Sequence, residues 1–113
     1  MFDYTDLIKQ KFQLFQGKRE QIEDEKLLNE VNDLVEEEVL RFIKTTVKDN
    51  YKIDSAIKGT NEPQAIKQLE ILLSEKDIDW QLNLTARINY FLNQLVYDSV
   101  QIVKDEHRKP TTK

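Results

Sequence analysis

Apolar residues recur along most of the chain at spacings of three and four, the period of an α-helix with one buried stripe. Tyr4, Leu7, Ile8, Phe12, Leu14 and Phe15 make the first stripe. Asp3 suits an N-cap and Gly17 a stop, because glycine accepts positive φ without a Cβ clash; a helix is predicted over about 3–16. The longest pattern begins between Glu20 and Asp24 and reaches about Lys48, with Leu27, Leu28, Val31, Leu34, Val35, Val39, Phe42 and Ile43 at helical spacing. No glycine or proline interrupts it.

Between Asp49 and Pro63 turn and capping residues dominate, which predicts a connection holding at most one helical turn, at 53–58. Thr60 or Asn61 followed by Pro63 marks a helix start, since proline fixes φ and lacks an N–H that the first turn leaves unbonded. Ala65, Ile66, Leu69, Leu72 and Leu73 carry this third helix to about Glu75. Asp77 or Asp79 can cap the last one, running from Trp80 to about His107 with Leu84, Ile88, Phe91, Leu92, Leu95, Val96, Ile102 and Val103 on one face. Residues 1–108 read as one helical domain and 109–113 as a flexible polar tail. Two long and two shorter helices predict an all-α, four-helix antiparallel bundle; the alternative is an open helical hairpin completed by a second copy.

Composition narrows the function classes. The 113 residues are 39% hydrophobic with two glycines and two prolines, which fits a folded helical chain rather than disorder or a turn-rich β sandwich. The absence of cysteine removes disulfides, thiol nucleophiles and thiolate metal sites. The acidic start has no basic leader pattern, and no apolar run nears the roughly 18 residues of a spanning helix, so a cytoplasmic protein without a membrane contact is expected. Asn83-Leu84-Thr85 matches a glycosylation triplet but falls inside a predicted helix, where it reads as coincidence.

Catalytic chemistry has little to stand on. His107, the sole histidine, belongs to the end of the last helix, and residue 104, three before it, is lysine, so the Glu-x-x-His pattern of di-iron bundles is missing. Neither a cofactor nor a metal is expected, and two glycines cannot build a phosphate loop. Glu36, Glu37 and Glu38 point about 100° apart on a helix and cannot converge on one ion. Glu38 lies at the edge of the apolar stripe and reads as a snorkelling side chain. Its alternatives are a partly buried acid of raised pKa or the partner of a buried arginine. A non-catalytic protein follows.

Charge is distributed unevenly within a net −4. Residues 20–40 hold nine acidic residues and one lysine, whereas 41–52 hold four basic residues and one aspartate, a polarity that the helix dipole favours. Arg41, Lys44, Lys48 and Lys52, at spacings of three and four, could line one stripe facing phosphates, which makes a nucleic-acid-associated factor the alternative reading. The leading expectation is a regulatory, adaptor or inhibitory subunit that binds a protein partner or a second copy of itself. Leu40, Ile43 and Val47 turn away from the stripe of Val31, Val35 and Phe42, while Tyr90 and Tyr97, flanked by Gln94 and Gln101, lie opposite Ile88 and Leu95. A helix with two apolar sides is either central in its bundle or covered by a partner.

Overall fold

The computed structural model describes the backbone of residues 2–58 and 61–108 and the side chains of residues 2–58 and 61–99. The described residues form helices and no strands: α1 (Thr5–Phe12), α2 (Gln21–Val47), α3 (Asn50–Ile57), α4 (Glu62–Lys76) and α5 (Trp80–Arg108). The tail at 109–113 lies outside the described residues.

Two local events separate this order from the expectation. Helix α1 ends at Phe12, four residues early, because Gln13 turns left-handed at φ 54°. The Gln13 N–H then donates to the Gln10 carbonyl, and the Leu14 N–H to the Lys9 carbonyl. This Schellman arrangement swings Leu14 into the core beside Ile8 instead of continuing the stripe. Gly17, the expected stop, has positive φ (77°) in the loop that follows.

The connection after α2 holds two helical turns, not one. Lys48 closes α2 in the left-handed region at φ 58°. The Asp49 side chain then accepts the Lys52 N–H at 3.1 Å and starts α3 at once. Helix α4 begins as expected, with the Asn61 side chain accepting the Gln64 N–H at 3.0 Å and Pro63 in its first turn. Asp77 serves the next corner: its Oδ1 accepts the Asp79 N–H and its Oδ2 the Asn83 side-chain amide.

Helix α2 is the hub, packing against each of the other four helices. Val31, Val35, Val39, Phe42, Ile43 and Val47 on α2 meet Ile8, Leu14, Ile53, Ala56, Leu69 and Leu73 and the Trp80, Leu84, Ile88 and Leu92 row of α5. That row repeats every four residues, one ridge of an α-helix. At the same end, Phe2 tilts against Trp80 with ring centroids 6.0 Å apart, and Trp80 Nε1 donates to Ser74. Tyr4 meets Thr85; burial pushes the Tyr4 phenol above its ordinary pKa, and that hydrogen bond opposes the rise.

The radius of gyration is 17.6 Å, against about 13 Å for a compact chain of this length. Helices of 27 and 29 residues reach about 40 Å or more at 1.5 Å per residue. Among the described side chains the buried apolar positions lie between Val31 and Val47 on α2 and between Trp80 and Leu92 on α5, so the first ten residues of α2 lie outside the apolar core.

Candidate interaction surfaces

The residues expected to form a second apolar face divide between the interior and two separate surfaces. Ile43 and Val47 are each 2% exposed and lie in the core, a correction to their reading as interface residues. Helices α3 and α4 pack on that side of α2, so its second apolar side is the mark of a central helix. Leu40 remains partly exposed and lines a cleft between α2 and α4. Tyr90 and Tyr97 stand out in solvent, 67% and 59% exposed, on the side of α5 away from its buried row. Gln94 is exposed beside them, and Gln101 lies outside the described side chains.

The outer face of α5 differs in composition from the rest of the molecule. From Trp80 to Tyr97 the sequence holds one charged residue, Arg87, in a chain that is 34% charged. Leu82, Ala86, Asn93 and the two tyrosines fall within a narrow arc at 100° per residue, and all are exposed. Such a strip combines contact area with hydrogen-bonding groups and lacks the charges that resist desolvation.

Arg87 is half-buried and engaged. Its Nε donates to Glu38 Oε2 at 2.9 Å, Arg41 donates to Glu38 Oε1 at 2.7 Å, and the Arg87 guanidinium lies 5.9 Å from the Phe42 ring centre. Glu38 is thus the partner of an arginine, one of its three expected roles. Its pKa is lowered, not raised: burial pushes the carboxyl up, but hydrogen bonds from Arg87 and Arg41 and their two charges outweigh it. An ionised, doubly bonded carboxylate is a poor proton donor, so the acid reading loses its motive.

The expected basic stripe does not lie on one helix. Arg41 pairs with Glu38 and approaches Glu37 at 3.9 Å. Lys44 is exposed near the end of α2, Lys48 is its left-handed cap, and Lys52 belongs to α3. The register of three and four residues is broken at Lys48. His107 lies outside the described side chains, and among the described residues no group of three or more histidines, aspartates or glutamates is placed to hold a metal.

The cleft between α2 and α4 is one that sequence reading missed. It has a volume of about 540 Å³ and is lined by the buried Val39, Ile43 and Leu69 and by the more exposed Phe2, Leu40, Ile57, Ala65 and Ile66. Asp3, Glu36 and Glu62 also line it, and among the described residues no lysine or arginine does. The signal was present in Ile57, which falls in the single helical turn expected at 53–58, and in Glu36 and Leu40, which are four apart on one face of α2.

A second missed group is a clasp between α1 and α2. Asp24 is 1% exposed and its Oδ2 accepts the Phe15 N–H at 2.8 Å, while Arg19 Nε lies 3.4 Å from Oδ1. The Arg19 guanidinium also donates to the Phe12 carbonyl at 2.8 Å. A carboxylate and a guanidinium thereby hold a loop with left-handed φ at Gln13, Phe15 and Gly17. This is architecture and offers no open site.

Among the described residues no helix is long and apolar enough to cross a membrane. Comparison with protein families, with curated proteins and with solved structures returns no match.

Proposed function

We propose that the chain acts without catalysis, as a helical protein-binding module, and that the outer face of α5 joins two copies of it. The observation that carries this reading is the uncharged, tyrosine-bearing arc from Leu82 to Tyr97. A protein of net charge −4 meets its own copy most easily where like charges are absent. Two α5 helices crossing antiparallel about a twofold axis would set Tyr90 of one copy near Tyr97 of the other, the self-complementary pattern of a cyclic dimer.

The size of the strip sets the expected strength. From Leu82 to Tyr97 the strip is about 24 Å long and 10 Å wide, roughly 240 Å² per copy, well below the 800 Å² of a standard interface. A weak, reversible dimer with dissociation in the high-micromolar to millimolar range is therefore expected. Sedimentation velocity over a concentration series tests it, with a rise toward twice the 13.5 kDa chain mass. The Tyr90→Asp/Tyr97→Asp variant should stay at the chain mass. A wild type that remains monomeric throughout the series would defeat the dimer reading.

A further inference from the structure

The second surface differs from α5 in charge and shape and does not depend on the dimer. The cleft between α2 and α4 has a largely apolar lining and three carboxylates. Asp3 is held by hydrogen bonds from Thr5, whereas among the described residues neither Glu36 nor Glu62 has a side-chain hydrogen bond or an ion pair. All three are exposed at the edge. Among the described residues no ion pair is made by this rim, and Lys9 acts on Asp3 only as a weak, more distant charge, whereas Arg41 and Arg87 find their partner in Glu38 and Arg19 in Asp24.

A second copy is a poor occupant, because it would bring a further −4 to an acidic rim. A purely apolar ligand would desolvate the edge carboxylates without replacing their water. The length also selects: from Asn32 to Ile43 the groove follows 12 residues of α2, about 16 Å, or three helical turns.

From this combination we infer that the groove docks a short, basic, amphipathic helix of a partner protein. Apolar side chains at i, i+3 or i+4, and i+7 enter between Leu40 and Ile66, and flanking lysines or arginines meet Asp3, Glu36 and Glu62. This is helix-in-groove recognition, with the buried face giving affinity and the rim fixing orientation.

The test uses a fluorescent leucine–lysine peptide of ~12 residues with helical apolar spacing, a scrambled peptide of the same composition, and the full-length protein. Anisotropy titrations compare wild type with Glu36→Lys/Glu62→Lys and with Glu30→Lys/Glu75→Lys, which makes the same change in net charge outside the groove. The groove reversal should weaken binding of the amphipathic peptide roughly tenfold or more and the control reversal about twofold at most. Amide shifts in the wild type should map to Val39, Leu40 and Ile66, a readout that does not depend on any variant folding. The Tyr90→Asp/Tyr97→Asp variant should bind the peptide as well as wild type, which separates this inference from the dimer. Equal weakening by both reversals, equal binding of the scrambled peptide, shifts mapping elsewhere, or no binding at low salt would each overturn it. So would loss of dimers on groove reversal, which would assign the groove to a second copy.

Discussion

Glu38 and Arg87 are 49 positions apart in the chain and 2.9 Å apart in space. Their bond ties α2 to α5 about two turns from the start of α5, with Glu38 only 12% exposed and Arg87 36% exposed. Arg87 donates to one oxygen of the Glu38 carboxylate and Arg41 to the other, which satisfies both, while the Arg87 guanidinium packs over the Phe42 ring.

The pairing gives the fold an acid limit. The folded pKa of Glu38 lies below its ordinary value of 4.5, so its stabilisation is complete above that value and is lost as pH falls through the folded one. Glu38→Gln should cost about 1–2 kcal/mol at neutral pH, reduced from a fully buried pair by the exposure of Arg87. Urea denaturation of wild type and variant across acid pH should show the two curves converging as Glu38 protonates.

Asp24 is the more severe lesion. Asp24→Ala leaves the part-buried Phe15 N–H without its acceptor and Arg19 without its carboxylate, which should lower stability by about 1–3 kcal/mol. Thermal melts followed by circular dichroism give the loss, and the Phe15 amide resonance should move most.

Lys48 offers a gain. It caps α2 at φ 58°, a conformation that disfavours a side chain by about 1 kcal/mol and that glycine accepts freely. Lys48→Gly should raise the stability by about 0.5–1 kcal/mol, read from the urea midpoint.

The surface of α5 should separate association from stability. Tyr90→Ala removes a side chain that is 67% exposed and should change the monomer's stability by no more than about 0.5 kcal/mol. The same substitution should reduce the dimer population at a fixed concentration in sedimentation velocity. A fall in stability of 2 kcal/mol or more, by contrast with about this size for Leu84→Ala in the core, would show that Tyr90 packs internally.

Much of the fold is written in local periodicity. The stripes of α2 and α5 and the Asn61–Pro63 start are visible because each depends on neighbours within one turn. The early end of α1 is not, since Leu14 leaves the helical stripe only when a core exists to receive it. The same limit governs the surfaces. Tyr90 and Tyr97 are legible because the face opposite a buried row is solvent by geometry, whereas Ile43 and Val47 depend on where α3 and α4 come to rest. The groove carboxylates are beyond local reading altogether, as Asp3, Glu36 and Glu62 come from three segments that only tertiary packing assembles. Arg87 could have been found, as the lone charge in an 18-residue span that needed a counter-ion.

Because α2 touches every other helix, no helix can detach without stripping part of that central rod, and no pair of helices retains a closed interior once it is gone. Heat should therefore dismantle the chain in one cooperative step, with the calorimetric enthalpy equal to the van't Hoff value.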